Sequence, residues 1–321
     1  MSRALALLLG LLAVAGPAGA ETVRARLRRP ARGLQVRLSP FEIAAHSERE
    51  VCQPVTLPNR AAVDVNEVAV AMPGGVDYGS HHFAIFLDNG DSGPGTGEPV
   101  DSGGCAGIGS QPVSPILAFV QHTRERIRFP RGVWIALRPG QRLLLNSHFL
   151  NGRDEPLVVD VAINFRAARR GAIAHHVRTF ELGTFNIAVP PHSEGSVSPA
   201  WTAPFPMNVV LLTSHSHKHT RSAVVDVTRA DGSAEQQLVT LAYTDPVVVR
   251  YPRGLRLEAG DGFRWTCTYA NPTDRVLGFG LTSADEMCFA VGFFYPDDDD
   301  APLPDVPSCF GGGDGLVCPF N

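Results

Sequence analysis

The chain has 321 residues, which is enough for one large domain or two ordinary ones and for a sizeable hydrophobic core. Its formal net charge is −4 and no basic stripe stands out in the sequence, which argues against nucleic acid as a partner. With 32 glycines, 26 prolines and no long segment of helical period, the composition also argues against a helical or βαβ fold.

The first residues have the pattern of an export signal. Arg3 precedes an apolar stretch at 4–14 that is too short to span a bilayer, and small residues at 18–20 form a cleavage site. We therefore expect residues 1–20 to be a signal peptide and the protein to be secreted or periplasmic. The Arg- and Ala-rich composition suggests a bacterial source. No later apolar run of about twenty residues predicts a membrane span.

After the signal peptide, residues 21–34 carry five arginines without apolar periodicity, and we expect a flexible basic linker there. Short runs rich in Val, Ile, Leu, Phe and Thr, separated by Gly, Pro, Asn and Asp, then predict strands. In the first half they are 35–38, 63–71, 83–87, 133–137, 142–149 and 157–165. In the second half they are 185–189, 208–215, 223–229, 238–240, 247–251, 263–270 and 289–294.

This spacing predicts an all-β protein made of two antiparallel β-sandwich domains. A basic stretch at 166–170 marks the junction, which divides the chain into domains 35–174 and 175–321. Residues 88–114 form a long Gly-, Ser- and Asp-rich segment, predicted to be a loop tied down by Cys105. No internal repeat is evident at this level.

Six cysteines in an exported chain indicate disulfides, although six allow 15 pairings. They are Cys52, Cys105, Cys267, Cys288, Cys309 and Cys318.

Histidines stand out at three places along the chain. His81 and His82 begin a predicted strand, where adjacent residues point to opposite faces, so both can bind one ion only at an irregularity. The preceding Gly79-Ser80 supplies such a break. His148 lies in a buried-looking strand, where a lone histidine is more often a hydrogen-bonded core residue than a ligand.

The third place is the end of the strand 208–215. His215 and His217 are two residues apart, so they point to the same face and form a bidentate metal ligand. Imidazole suits copper, zinc, iron or nickel. Met287, in the run Asp285-Glu286-Met287-Cys288-Phe289, offers a soft thioether that favours Cu(I), although a single methionine is usually a core residue.

Taken in order, these residues resemble a known family. His81-His82, His148, His215-x-His217 and Glu286-Met287-Cys288 follow one another as in the copper type II, ascorbate-dependent monooxygenases, the relatives of dopamine β-monooxygenase and peptidylglycine α-hydroxylating monooxygenase. The likeness covers roughly residues 47–296.

The resemblance implies two jelly-roll-like domains, each with a copper site, that face one another across a solvent-filled cleft between the domains. His81, His82 and His148 would bind the first copper, which passes on an electron. His215, His217 and Met287 would bind the second, where O2 is activated. It also implies ascorbate or a similar reductant as the electron source.

The resemblance implies a Cys267–Cys288 disulfide that fixes the strand presenting Met287. Within that frame Cys52 pairs with Cys105, and Cys309 with Cys318 is left by elimination, without support from the family.

Substrate recognition departs from the peptide-amidating branch. That branch holds a substrate carboxylate with an Arg two residues before the His-x-His motif and a Tyr four after the Met. Here these positions are Thr213 and Val291, so a peptide substrate is not expected. Phe289 and Val291 either form an apolar or aromatic pocket or are ordinary core residues.

Other histidines keep simpler interpretations. His219 continues the His215–His217 strand face and competes with Met287 as a third ligand, although a supporting role is favoured. His175 and His176 are better explained as part of a solvated linker. His46, His122 and His192 have no partner that the sequence identifies. Asp285 and Glu286 either orient a ligand by hydrogen bonding or cap the strand.

The leading hypothesis is therefore a secreted dicopper monooxygenase that hydroxylates a small organic substrate, aromatic ones included, with O2 and a reductant. A non-catalytic copper carrier or sensor of the same fold is the alternative. A β-sandwich adhesion or matrix protein with incidental histidines is a third possibility, and it predicts no stoichiometric copper.

Overall fold

The structure is a computed structural model that describes residues 20–88, 97–102, 116–168 and 175–297, and the backbone of 309–312 and 315–317. The described elements are β-strands, which confirms the all-β prediction. Within these ranges there is no helix of the length and apolar character that crossing a membrane requires.

The first half contains two sheets. Its strands are β1 (Glu21–Val23), β2 (Gly33–Ile43), β3 (Ser47–Thr56), β4 (Val63–Ala71), β5 (Tyr78–Leu87), β6 (Val100–Asp101), β7 (Ile116–Val120), β8 (Arg124–Arg128), β9 (Val133–Leu137), β10 (Arg142–Asn151), β11 (Leu157–Ala167) and β12 (His175–His176). One sheet runs β1-β11-β4-β9-β12, with β2 on β11 and β8 on β4, and the other runs β6-β3-β10-β5-β7. Their facing aliphatic and aromatic side chains form one core.

The second half repeats this plan. Its strands are β13 (Arg178–Thr184), β14 (Ala188–Val189), β15 (Ser193–Val197), β16 (Ala200–Thr202), β17 (Met207–Ser216), β18 (Thr220–Thr228), β19 (Ala234–Thr240), β20 (Val248–Leu257), β21 (Gly262–Asn271), β22 (Leu277–Gly278), β23 (Cys288–Pro296), β24 (Cys309–Gly312) and β25 (Gly315–Val317). The sheets run β20-β17-β23-β13-β24-β25 and β15-β21-β18-β19, with β16 on β21 and a small β14-β22 pair. A second core lies between them.

A third cluster joins the halves. Strands β5 and β10 are buried on both faces because one face packs into the first core and the other packs against the second half. Along β10, Leu143 and Leu145 belong to the first core, whereas Leu144 belongs to the cluster that contains Met287 and Phe289 of the second half. The two-residue period of a strand therefore puts every even-numbered residue of β10, His148 included, on the face between the halves.

The segment 21–34 is not the flexible linker that we expected. Strand β1 pairs with β11, and the backbone amide of Ala25 donates to the buried carboxylate of Asp160 at 2.6 Å. Arg24 and Arg37 also pair with Asp160, at 3.4 and 2.7 Å. The prediction failed because the acceptor lies 135 residues away along the chain.

The sequence also hides an internal repeat. In the first half, the Asn151 amide donates to the carbonyls of Ile43 and Ala44, and His46 contacts Asp154 at 2.8 Å. In the second half the same hydrogen bonds recur: the Asn271 amide donates to Val189 and Pro190, and His192 contacts Asp274 at 2.8 Å. His46 and His192 have φ angles of 49° and 52°.

We call each of these arrangements a clasp, the first at 43–47 and 151–155, the second at 189–193 and 271–275. The sequence signal is short: His-Ser-Glu at 46–48 and 192–194, and Asn-x-x-Asp at 151–154 and 271–274. Equivalent clasps at equivalent strand ends show that the two halves are built on one plan.

Some predicted elements differ from the structure. Of the predicted strand 185–189, only Ala188–Val189 is a strand. The residues before it form a turn, in which the backbone amide of Asn186 donates to the Thr184 hydroxyl and that of Ile187 to the Phe185 carbonyl. The strands that were not predicted are β1, β3, β6, β7, β8, β12, β13, β15, β16, β22, β24 and β25. Most of the loop 88–114 lies outside the described residues. The domain boundary at 175 stays a prediction, and β12, at 175–176, pairs with β9 of the first half.

Candidate metal centre

A β-bulge brings His81 and His82 to the same side of strand β5. In the pairing of β5 with β10, His148 lies opposite His82 and Phe149 lies opposite Ser80, so His81 is the extra residue. A bulge of this kind turns one side chain away from regular alternation. The irregularity expected beside Gly79-Ser80 is present, and the Ser80 hydroxyl donates to the His82 and His148 carbonyls there.

The second half contributes its histidines from the end of β17. This strand pairs with β23 up to Ser216 opposite Cys288. One residue further on each chain lie His217 and Met287, so the strand register places the methionine beside the His-x-His pair. Met287 is buried at the junction between the halves.

The five histidines form a single buried cluster. The ring centroid of His81 lies 5.4 Å from His82, 5.3 Å from His148, 4.8 Å from His215 and 5.0 Å from His217. Ring nitrogens of His81, His82 and His215 lie within 4.8 Å of one another, so a group able to hold a metal draws on both halves.

This arrangement corrects the expectation of two sites separated by a solvent-filled cleft. The reason is the apolar surface around the histidines. Ala84, Phe86, Phe119 and Leu144 of the first half pack directly on Met287, Phe289 and Val291 of the second, and this contact leaves the two histidine sets adjacent.

Side chains around the cluster fix the protonated nitrogen of three histidines. The Gln121 amide donates to the Ser214 carbonyl at 2.8 Å, so its oxygen faces His215 and accepts from Nδ1 at 2.8 Å. Glu48 accepts from Nε2 of His148 at 3.0 Å.

His82 is held in the same way. Its Nε2 donates to the Asn146 oxygen at 3.2 Å, and the Glu50 carboxylate lies 3.6 Å away. The Asn146 amide in turn donates to Glu50 at 2.9 Å, which fixes the orientation of both groups. Such carboxylate or amide partners set the tautomer of metal-binding histidines.

The other nitrogen of each ring is buried and has no hydrogen-bond partner among the described residues. These atoms are Nδ1 of His82, Nδ1 of His148 and Nε2 of His215, and Nε2 of His81 likewise has no partner there. Neither ring nitrogen of His217 has a side-chain partner in that part of the chain. A buried polar atom without a partner is costly, and several converging lone pairs are what a soft or borderline metal ion requires. The residues therefore fit a copper centre.

Electrostatics keep the ring nitrogens available. Burial, reinforced by the neighbouring histidines, lowers the pKa of His81 and His215 well below the ordinary value and lowers the pKa of His217 to about 3. Burial alone raises the pKa of Glu48 and of Glu50, but their hydrogen bonds with His148 and His82 outweigh it and bring both values to about 2. The rings of His81, His215 and His217 are therefore neutral, as metal binding requires, and the carboxylates of Glu48 and Glu50 are charged.

Glu286 supports the turn after His217. Its buried carboxylate accepts from the backbone amide of His219 at 2.7 Å and from the Thr220 hydroxyl at 3.0 Å. Burial raises its pKa to about 7. Of the two roles considered for Glu286, the structure thus shows hydrogen bonding in the turn that follows His217. Asp285 instead pairs with Arg275 at 3.0 Å.

Contrary to the expectation, His219 does not continue the strand face of His215 and His217. Strand β17 ends at Ser216 and residues 218–219 form a turn, so the two-residue alternation stops before His219. His46 and His192 belong to the clasps, and His122 pairs with Glu125 and Asp245, both at 3.1 Å. His175 stacks on Tyr295 with ring centroids 4.6 Å apart.

Thr213 and Val291, which replace the Arg and Tyr of the peptide-amidating branch, lie side by side. Thr213 is opposite Val291 in the β17–β23 pairing, and the Thr213 hydroxyl donates to the Val247 carbonyl. Phe289 and Val291 are core residues at the junction between the halves. Of the two roles considered for them, packing is the one observed.

The Cys267–Cys288 disulfide is confirmed. It links β21 to the residue that follows Met287. Cys52 is disulfide-bonded, but its expected partner, Cys105, lies outside the described residues. The pair Cys309–Cys318 also falls outside them, apart from the Cys309 backbone, and stays a prediction.

Sequence reasoning missed Gln121, Glu48, Glu50 and Tyr243. The polar residues in the otherwise apolar strand around His148 were a signal for such partners, because one of them, Asn146, binds both His82 and Glu50. For Gln121 and Glu48 no local signal exists, since their partners lie 94 and 100 residues away.

A cavity of about 920 Å³ opens beside the cluster, with His81 in its wall. Tyr78 and Tyr243 line it together with the carboxyl groups of Glu48 and Asp77. The Tyr243 ring, from the second half, lies 5.7 Å from His81. Burial, with Glu48 and Glu286 nearby, raises the pKa of Tyr243, so its hydroxyl stays protonated.

Comparisons with solved structures give low similarity. The major capsid protein P2 of bacteriophage PM2 aligns at 9% identity and a TM-score of 0.35, covering 82% of this chain and 97% of that one. The PBSX exported protein XepA aligns at 11% identity and a TM-score of 0.21, covering 82% of this chain and 86% of that one. PBCV-1 VP54 aligns at 8% identity and a TM-score of 0.25, covering 84% of this chain and 95% of that one. None of these carries a functional inference. A comparison with curated proteins gives no match.

A family comparison is informative. Residues 178–311 match the family model described as copper type II ascorbate-dependent monooxygenase, C-terminal domain. The matched region contains His215, His217 and Met287 and begins where β13 starts. Over this region the chain is similar to the C-terminal domain of the copper type II, ascorbate-dependent monooxygenase family.

Proposed function

We propose that this protein is a secreted dicopper monooxygenase that hydroxylates a C–H bond of a small organic substrate. The observation that carries the proposal is the buried cluster of five histidines, whose free lone pairs converge from both halves. A histidine cluster that served only packing would have its ring nitrogens hydrogen-bonded.

The reaction inserts one oxygen atom of O2 into the C–H bond and reduces the other to water. It consumes two electrons and two protons, and ascorbate or a similar reductant supplies both. Copper, when bound, accepts electrons one at a time and activates O2.

We assign the ligands as two sets. His81, His82 and His148 hold one copper through nitrogens that Glu48, Glu50 and Asn146 help to orient. His215, His217 and Met287 hold the other, where the soft thioether favours the reduced ion. Gln121 orients His215, and Glu286 holds the turn that carries His217.

We place the substrate in the cavity beside His81, whose ring lies 5.0 Å from that of His217 in the set assigned to O2 activation. Its two tyrosines suit an aromatic or other apolar ring that also offers a polar group. Neither Lys nor Arg is among its described lining residues. That lining, with Thr213 and Val291 at the clamp positions, disfavours a carboxylate substrate and therefore a peptide C-terminus.

Export is also part of the proposal. It rests on the pattern of residues 1–20 and is supported by the Cys267–Cys288 disulfide, since structural disulfides persist in oxidising compartments.

The test is oxygen consumption by copper-loaded protein with ascorbate and a panel of phenethylamines and other aromatics. We expect O2 uptake that requires both ascorbate and substrate. Met287→Ile should abolish turnover while His81, His82 and His148 still bind copper. His192→Ala, an exposed histidine of the second clasp, is the matched control and should retain activity.

Two outcomes contradict the proposal. Copper binding without substrate-dependent O2 uptake across the panel would favour the copper-carrier alternative. Full turnover in Met287→Ile would remove this methionine from the catalytic centre.

A further inference from the structure

A second cavity, of about 830 Å³, lies apart from the histidine cluster and shares none of its lining residues with the cavity beside His81. The N-terminal segment, strands β4 and β11 and the turn after β8 surround it. Its charged lining residues are Arg32, Arg128, Arg131, Arg166 and Glu67. Three more guanidinium groups than carboxylates therefore face one cavity.

The only carboxylate among these residues is already used to position two of the arginines. Glu67 is 2% exposed, and its Oε2 accepts from Nε and NH2 of Arg128 at 3.0 and 2.8 Å. The Nε of Arg166 lies 3.3 Å from its Oε1. Strand pairing sets this geometry, because Arg128, Glu67 and Arg166 lie side by side across β8, β4 and β11.

Arg32 and Arg131 have no ion pair within the ranges that the structure describes, and both are exposed. Their backbone is nevertheless fixed. The amide of Ala167 donates to the Arg32 carbonyl at 3.1 Å, and the amide of Val133 donates to Pro130 across Arg131 at 3.1 Å. Gly132, at φ 89°, makes the turn that follows.

The surroundings strengthen the positive potential. Arg124 and Arg126 are exposed on the same face of β8 as Arg128, one at every second residue. The apolar floor of the cavity, Phe129, Val133 and Trp134, is almost fully buried and provides a wall of low dielectric constant. A concave surface lined by one sign of charge over such a wall concentrates counter-ions.

We propose that this cavity binds a small polyvalent oxyanion, with phosphate groups as the chemical class that it recognises. Guanidinium groups match phosphate in geometry and form paired charge-assisted hydrogen bonds with it. Glu67 presets Arg128 and Arg166, while Arg32 and Arg131 provide the uncompensated charge that the ligand neutralises. The site uses no residue of the metal centre, so it does not depend on the proposed oxidation chemistry.

The probe is inorganic pyrophosphate, titrated calorimetrically into the copper-free full-length chain, with acetate at matched ionic strength as the comparison. We expect saturable binding of one pyrophosphate per chain and a rise in melting temperature, with acetate at least tenfold weaker. Arg32→Gln and Arg131→Gln should each weaken binding about tenfold, since each removes a charge-assisted hydrogen-bond donor. Arg253→Gln, an exposed arginine on β20, should leave it unchanged.

Neither Arg32 nor Arg131 supports another described side chain, so both variants should melt at the parent temperature without ligand. Absence of saturable pyrophosphate binding would overturn the proposal. So would binding that survives both substitutions, or an equal loss in Arg253→Gln, which would indicate non-specific attraction.

Discussion

At the scale of single residues, the bulge at His81 is the decisive feature. Without the extra residue, His81 and His82 would point to opposite faces of β5, one of them into the first core. The sequence predicts this irregularity from Gly79-Ser80. It cannot predict Gln121, Glu48 or Glu50, because their roles follow from contacts between strands that are far apart in the chain.

Gln121 offers a direct test of ligand orientation. Gln121→Met keeps the volume but removes the acceptor of the His215 Nδ1 proton. We expect copper affinity to fall about 10- to 100-fold, as for other second-layer partners of metal ligands, while the fold is retained. A competition titration with a Cu(I) chelator measures it, and Gln236→Met, at an exposed position of β19, is the control. Unchanged affinity would mean that His215 needs no orienting partner.

Glu181 makes stability depend on pH. Burial raises its pKa from 4.5 to about 8, so the folded chain holds the carboxyl neutral where the unfolded chain ionises it. Its favourable contribution is complete below the unfolded pKa and is lost as pH rises towards 8. At about 1.4 kcal/mol per pKa unit, Glu181→Gln should gain several kcal/mol over the parent between acid pH and pH 8.

Denaturant unfolding at several pH values measures this difference. The exposed Glu194→Gln should show the same pH dependence as the parent chain. A constant difference between Glu181→Gln and the parent across the range would contradict the raised pKa.

At the scale of elements, the two clasps fix where strands begin and end. Each uses one buried asparagine whose amide donates to three carbonyls: Asn271 to Val189, Pro190 and Arg275 at 2.9, 2.9 and 2.7 Å. Asn151 donates to Ile43, Ala44 and Glu155 at 3.3, 3.0 and 3.0 Å. Because each asparagine donates to a turn that is distant along the chain, the repeat is clear in the structure but weak in the sequence.

The clasps predict a matched pair of effects. Asn151→Ala and Asn271→Ala each leave buried carbonyls without donors, and each should cost about 2 kcal/mol of unfolding free energy. Asn208→Ala, whose amide donates to Asp297 at the surface, should cost much less. Chemical denaturation measures all three. A large effect at only one clasp would show that the two are not equivalent.

Strand prediction succeeded where the two-residue period and the apolar composition agree. It failed where a segment becomes a strand only through pairing or contacts with distant residues. The run 208–215 is recovered almost to the residue as Met207–Ser216. Strand β8, Arg-Glu-Arg-Ile-Arg, escapes prediction because three charged residues face out and only Glu125 and Ile127 face in. Segment 21–34 was misjudged for the same reason, since Asp160 binds it only in the folded chain.

At the scale of the whole molecule, the two halves share one interface rather than facing across solvent. Gln121 reaches Ser214, His122 reaches Asp245, and Ser283 donates to Glu48 at 3.2 Å, so polar contacts surround the apolar cluster. The order of the ligand residues along the sequence predicted the copper family, and the family match supports it. The closeness of the two histidine sets was beyond sequence, because it depends on how Phe289 and Val291 pack.

The most direct test of the account is the copper content of protein dialysed against Cu(I) under anaerobic conditions. We predict two copper ions per chain, one in Met287→Ile combined with His215→Ala, and one in His82→Ala combined with His148→Ala, with each variant still folded. Folded parent protein that retains no stoichiometric copper, or double variants that bind as much as the parent, would contradict the assignment of these histidines and Met287 as the metal centre.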